Sequence, residues 1–296
     1  MNVIEIKNLT KDYGNDKGIF DLNLSVKKGE VFGFLGPNGA GKTTTIRNLM
    51  SFTHPDKGEC LINGLDCRTQ GDVIQKTLGY LPAEIAFMDD MQGLTFIKFI
   101  AKMKGIEDFS RAQELIDMFK LDASGKIKKM SKGMKQKIGI VCAFMNNPDL
   151  LILDEPTTGL DPLMQVKFLE LVLSEKAKGK TIFMSSHNFE EIEKTCDRTA
   201  IIRDGKLVDI EDLKTLSQSK QKTYIITFSS EEAAASFSQE GFEISEIQGK
   251  TVTVSVKGNI NTLISKLEKF EVVDLDVKTQ TLEELFMHFY GGVTNV

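Results

Sequence analysis

Apolar residues in the first 80 positions come in short runs cut by turn signals, a pattern of strands rather than long helices. Val3–Ile6, Phe20–Val26 and Val31–Leu35 are the clearest runs, and Lys28-Gly29-Glu30 between the last two predicts a hairpin turn. The pattern then changes: Gly36-Pro37-Asn38-Gly39-Ala40-Gly41 is a glycine-rich loop, and Lys42–Phe52 follows at helical spacing. From Gly93 to Asn147 apolar positions recur on a helical period, as at Ile97, Ile100, Ala101 and Met103 and again at Leu115, Met118 and Phe119. This segment predicts a helical insert with no strand of its own. Leu150–Leu153 and Thr181–Met184 are apolar throughout, which suits parallel strands buried on both faces, with Met164–Lys178 as the crossover helix between them.

The polar run EDLKTLSQSKQK, residues 211–222, reads as a linker. Beyond it the patterning predicts strand Tyr224–Phe228, helix Glu231–Glu240, strand Phe242–Ile247, strand Thr251–Val256, helix Asn261–Phe270 and strand Val272–Val277. That order, βαββαβ, is the ferredoxin-like split unit, and a last helix is expected over Thr281–Tyr290. The domain reading is therefore 1–212, a linker at 213–222, and a C-terminal α+β domain at 223–296. Charge marks the same boundary: residues 223–296 hold 5 lysines, no arginine and 11 acids, whereas the whole chain of 296 residues is only −5.

Composition narrows the class. Hydrophobic residues at 41% and charged residues at 27% are ordinary for a globular protein and exclude a disordered or collagen-like chain. The acidic balance argues against a nucleic-acid partner, since no basic excess is present to neutralise phosphates. No stretch approaches the roughly 20 apolar residues of a membrane-spanning helix, and MNVIEIKNLT lacks the layout of a signal peptide. A cytosolic chain is expected. Cys60, Cys67, Cys142 and Cys196 form no CxxC pair and read as buried thiols.

The chemistry is concentrated in a few segments. Gly36 to Thr43 match GxxxxGK[ST] between a β-run and a helix, the context in which that motif binds phosphate. Backbone N–H groups of the loop cradle the phosphates, Lys42 reaches the β- and γ-phosphates, and the Thr43 hydroxyl can ligate Mg²⁺. Asp154 ends the apolar run Leu150–Leu153, which places it at a strand tip suited to Mg²⁺, and Glu155 beside it is suited to polarising the attacking water. His54 and His288 read as surface or packing residues.

These segments together resemble the ATP-binding subunit of an ABC transporter. The resemblance rests on Gly36–Thr43, the segment Met130-Ser131-Lys132-Gly133-Met134-Lys135-Gln136, the run Leu151–Asp161, and Ser185-Ser186-His187, in that order and spacing over residues 1 to about 212. It is nearest to ABC-2 type cassettes that drive drug, bacteriocin or peptide exporters. It implies a P-loop ABC ATPase fold: a RecA-like core, an antiparallel β part and a helical insert at about 84–147, here followed by the smaller ferredoxin-like domain. It implies ATP and Mg²⁺ as cofactors, and a nucleotide-binding set of Tyr13, Gly36, Asn38, Gly39, Ala40, Gly41, Lys42, Thr43, Thr44, Ser131, Gly133 and Asp161. Within that set Tyr13 stacks on adenine; outside it, His187 contacts the γ-phosphate.

Two departures from the family pattern stand out. Where the family has LSGGQ this chain reads MSKGM, keeping Ser131 and Gly133, with Lys132 one of six lysines within residues 126–137. Where the family has Gly-Tyr-Leu-Pro-Gln it reads Gly79-Tyr80-Leu81-Pro82-Ala83-Glu84, so the glutamine position is Ala83. Either Glu84 supplies a carboxylate oxygen to the metal, giving a metal set of Thr43, Asp154 and Glu84, or Thr43 and waters complete the shell. The resemblance further implies head-to-tail pairing with a second cassette, as homo- or heterodimer, and a separately encoded membrane permease that keeps the subunit on the cytoplasmic face of the membrane. The alternatives are a soluble ABC ATPase with a regulatory C-terminal domain acting outside transport, and a P-loop kinase, against which the Ser131 segment and His187 argue.

Overall fold

The computed structural model describes residues 1–213, 215–216, 222–256, 260–279 and 284. The chain divides into two compact units, Met1–Leu213 and Lys214–Val296.

In the first unit the apolar runs become the middle of a six-stranded sheet. Strands β3 (Val31–Leu35), β7 (Leu150–Asp154) and β8 (Thr181–Ser186) are buried at every residue, because helices and a second sheet cover them. The sheet order is β10-β9-β3-β8-β7-β6, with β6 at Leu78–Leu81, β9 at Arg198–Arg203 and β10 at Lys206–Asp212. All neighbours pair in parallel except the edge strand β10, which runs antiparallel to β9. Because the strands point the same way, the loops after β3, β7 and β8 emerge at one edge, where a ligand crevice forms in open α/β sheets. The polar run expected to be linker begins inside this sheet: Glu211 and Asp212 pair with Thr199 and Arg198. An edge strand with one solvated side accepts such residues.

The second sheet, order β2-β1-β4-β5, comprises β1 (Asn2–Asp12), β2 (Gly18–Lys27), β4 (Lys57–Ile62) and β5 (Leu65–Asp66). Here the expected hairpin at Lys28-Gly29-Glu30 is corrected. β2 pairs with β1, while β3 lies between β8 and β9 in the other sheet, so the segment is a crossing between sheets. The physical reason is burial: Val31–Leu35 has no solvated face, whereas β2 alternates, and a strand covered on both sides belongs in the parallel sheet. Ile4, Ile6, Leu24 and Val26 from the antiparallel sheet share one core with Phe32, Phe34 and Phe183 and with Ile46 of helix α1 (Lys42–Leu49).

Between β6 and β7 the insert is helical, as expected. After α2 (Gly71–Thr77), which precedes β6, come α3 (Gly93–Met103), α4 (Ser110–Met118) and α5 (Lys132–Phe144). Helix α3 buries Phe96, Ile97 and Ala101, and α4 buries Ala112, Leu115 and Ile116, each set on one face. Arg111 of α4 reaches Glu175 of the crossover helix α6 (Pro162–Ala177) at 2.7 Å; Glu175 is buried and also pairs with Lys178 at 2.9 Å. The segment after β8 forms α7 (Phe189–Thr195). Cys60 and Cys67 face each other across the β4–β5 turn, where Cys67 N donates to Cys60 O at 3.0 Å; both are buried, as is Cys196, and Cys142 is half-buried.

The second unit runs β11 (Lys222–Phe228), α8 (Glu231–Phe237), β12 (Glu243–Gln248), β13 (Thr251–Val256), α9 (Asn261–Leu267) and β14 (Val272–Thr279). Its sheet order is β12-β13-β11-β14, all antiparallel. Ser230 starts α8 by accepting from Ala233 N, and the helix packs Phe237 on Phe228 with ring centroids 5.0 Å apart. The expected helix at Thr281–Tyr290, with His288, lies outside the described residues except for Glu284.

Candidate active site

The glycine loop joins β3 to α1, and its glycines are required where the backbone is crowded or left-handed. A Cβ on Gly36 would sit 2.4 Å from Ile202 O, and Gly41 has φ +107° with Ile19 Cγ2 2.7 Å from a Cβ. Gly41 precedes α1 with no side-chain cap, so the first N–H groups of the helix remain available to an anion. Lys42, 5% exposed, donates from Nζ to Gly36 O at 2.5 Å and Pro37 O at 3.1 Å. The same Nζ is 3.0 Å from Glu155 Oε1, within ion-pair distance but outside hydrogen-bond alignment.

Asp154 ends β7 fully buried. Its Oδ1 accepts from Ser185 Oγ at 2.5 Å, while Oδ2 has no hydrogen-bond partner. Burial pushes its pKa up; the hydroxyls of Ser185 and Thr43 pull it back, and the Glu155 charge raises it again. Glu155 has φ +49°, uncommon for a side chain of this kind, and its N–H donates to Ser185 O at 3.2 Å and Ser185 Oγ at 3.0 Å. Its Oε2 is 2.7 Å from His187 Nδ1. An ionised carboxylate only accepts, so in this contact the imidazole Nδ1 is the donor. One carboxylate thus spans the loop lysine and a histidine at the tip of the next strand.

Lys42 and Glu155, but not Asp154 or His187, line a cavity of about 570 Å³, within the range of small-molecule sites. It gathers Tyr13, Asn38, Gly39, Gly41, Lys42, Thr43, Thr44 and Glu155. Tyr13 is 53% exposed, and Lys11 Nζ stands over its ring, 5.7 Å from the centroid. Gly36 and Ala40 are buried in the loop itself. Ser131, Gly133 and Asp161 do not line this cavity. Ser131 caps α5 by accepting from Met134 N at 3.2 Å, Asp161 caps α6 by accepting from Met164 N at 3.0 Å, and a Cβ on Gly133 would come 2.7 Å from Gly159 O. At the variant loop Ala83 lines the cavity, whereas Glu84 is exposed and not in its wall. The cavity also includes Asp16, Lys17, Gly18, Asp204 and Gly205, which the motif reading missed. Their only trace in the sequence is turn chemistry, Asp16-Lys17-Gly18 and Asp204-Gly205, with Asp16 and Asp204 at φ +57° and +49°.

Comparison with known proteins gives the family. The family described as ABC transporter matches residues 19–158. The bacitracin transport ATP-binding protein BcrA of Bacillus licheniformis is 33% identical over 302 residues, covering 99% of this chain and 98% of its own. The linearmycin resistance ATP-binding protein LnrL of Bacillus subtilis is 37% identical over 213 residues, 70% of this chain and 68% of its own. Among solved structures, an ATP-binding subunit of an ABC transporter aligns at TM-score 0.67 and 31% identity over 73% of this chain and 92% of its own. The cassette MJ0796, in a dimeric post-hydrolysis state with ADP and Pi, aligns at TM-score 0.64 and 26% identity over 71% of this chain and 98% of its own. A phosphate-loop lysine, a strand-end carboxylate pair and a partnered histidine, on a chain alike from end to end to a transport ATP-binding protein, make this protein an ATP-hydrolysing, ATP-binding subunit of the ABC transporter family.

Proposed function

We propose that the chain powers export of a drug or peptide antibiotic through a separately encoded permease, docked at the cytoplasmic face of the membrane. The observation that carries the hydrolytic part is the placement of Glu155, 3.0 Å from Lys42 Nζ and 2.7 Å from His187 Nδ1 at the mouth of the glycine loop. The cargo class is supported by likeness to BcrA over 99% of this chain, C-terminal unit included. Among the described residues no helix is long and apolar enough to cross a membrane, so the pathway is assigned to a partner chain.

In this reading the loop N–H groups and Lys42 bind the β- and γ-phosphates, Tyr13 stacks on the base, and Glu155 polarises the attacking water while His187 holds it by Oε2. Mg²⁺ fits the residues present. The buried, unpartnered Asp154 Oδ2 and the Thr43 hydroxyl would hold it, and Glu84, exposed and outside the cavity wall, is left out of the set. When bound, the ion would supply positive charge that offsets the negative charge of the phosphates during transfer. Ser131, Gly133 and Asp161 lie away from the cavity and are assigned to the nucleotide of a second cassette, homologous or identical, in a head-to-tail dimer. The C-terminal unit is assigned an accessory role, in regulation or dimerisation.

Purification from native membranes tests the whole. The expected result is a co-purifying permease that raises the ATP hydrolysis rate on reconstitution, with no effect of tRNA or DNA. Stimulation by nucleic acid, and none by any membrane protein, would replace this reading with that of a soluble ABC ATPase.

A further inference from the structure

Glu155 and His187 stand on two different loops, and a 2.7 Å contact between them lasts only if the loops are held in register. One buried carboxylate touches both loops. Glu191 of α7 is 5% exposed; its Oε1 accepts from Thr157 Oγ1 and its Oε2 from Ser186 Oγ at 2.9 Å. Thr157 lies two residues beyond Glu155, and Ser186 immediately precedes His187. Ser186 Oγ in turn accepts from Asn188 N at 2.9 Å, so the link continues into the residue that caps α7.

We propose that Glu191 is a positioning residue for ATP hydrolysis, clamping the far side of the Glu155 turn to the strand end that carries His187. The inference rests on Glu155 being the residue that polarises water. Three observations support it. A buried carboxylate is costly, and an apolar side chain would fill the same space without that cost, so its retention points to a geometric task. Both of its oxygens are engaged by hydroxyls from opposite loops, which a packing role does not require. The turn itself needs holding: Glu155 is left-handed at φ +49°, a conformation that persists only where the surroundings over-determine it. Ser185 fixes its start through the Glu155 N–H, Gln136 of α5 fixes its middle by donating to Pro156 O at 2.8 Å, and Glu191 fixes its end through Thr157.

The experiment measures kcat, KM for ATP and the thermal unfolding midpoint of the full chain for Glu191→Gln, Thr157→Val, Thr157→Ser and the double variant Glu191→Gln with Thr157→Val. Misplacing a reacting group by 1 Å can cost about 10²-fold, so a kcat loss on the order of tenfold or more is expected for Glu191→Gln and Thr157→Val. KM should stay near native, because neither side chain lines the cavity. Thr157→Ser, which keeps the hydroxyl, should recover most of the rate, and the double variant should be no slower than Glu191→Gln alone, since both cut one link. Native kcat in Thr157→Val, or a loss that only follows the unfolded fraction, overturns the proposal. If Glu191→Gln does not fold, Thr157→Val against Thr157→Ser decides alone. Glu155→Gln separates the two levels: native hydrolysis there defeats the assignment of Glu155, whereas its loss alongside native Glu191→Gln and Thr157→Val defeats only the clamp.

Discussion

The two units bury different things. In the first, Lys42, Asp154, Glu175 and Glu191 are buried among apolar neighbours together with a series of hydroxyls and amides; in the second, the buried side chains among the described residues are aromatic and aliphatic, centred on Phe228 and Phe237. Removing a charge from water costs several kcal/mol unless partners offset it. The second unit has the interior expected when stability alone is at stake. In the first, buried charge is concentrated where phosphate is to be handled, with two exceptions: Glu175, tying the helical insert to the crossover helix, and Glu30, paired with Arg198 of β9.

That contrast can be broken by mutation. The largest effect belongs to Glu155→Gln, expected to lower hydrolysis by about 10² to 10⁴ while ATP still binds, because the amide fills the volume but cannot act as a base; phosphate release beside a binding titration checks it. In the second unit Phe237→Ala should destabilise that unit alone by about 3–5 kcal/mol. Hydrogen exchange of β11 amides would report the loss, and hydrolysis should continue at the native rate; a fall in rate would mean the two interiors are not independent. Tyr13→Ala should weaken ATP binding by about 1–3 kcal/mol, the worth of an aromatic platform under a base, with equal affinity leaving Tyr13 a surface turn residue. The smallest effect is expected of Glu84→Ala, which should leave both the hydrolysis rate and its Mg²⁺ dependence unchanged, measured by titrating the metal. A loss of Mg²⁺ dependence would bring Glu84 back into the metal set.

Legibility in the sequence followed the same division. Runs that are apolar at every position, such as Leu150–Leu153, announced central strands because both their faces need covering, and the glycine loop announced phosphate because few other tasks need that backbone. Strand β6 was hidden: Leu78-Gly79-Tyr80-Leu81 is short and interrupted by glycine, and gains its place only by pairing with β7. The sheet crossing at Lys28-Gly29-Glu30 looked like a hairpin because turn chemistry is local while the choice of sheet is not. At the site, residues with their own chemistry were legible, but Asp16, Lys17, Asp204 and Gly205 reach the cavity only through tertiary folding. Glu191 was the least visible, since Phe189-Glu190-Glu191-Ile192-Glu193-Lys194 reads as a solvated helix face and only the fold turns one of its acids inward.

The cysteines give the cassette a built-in clock. All four lie in the first unit, and the surroundings of three suppress the thiolate that labelling reagents attack: the neighbouring Cys60 thiol and then burial push Cys67 up, and desolvation pushes Cys142 and Cys196 up to about 12. With Cys60 buried as well, thiol labelling is expected to be slow in the folded cassette and to speed up when a segment opens. In a chain with no tryptophan, the rate of thiol capture reads the opening free energy of the β4–β5 turn, the insert and the α7–β9 turn separately, with the C-terminal unit, which has no cysteine, contributing no signal.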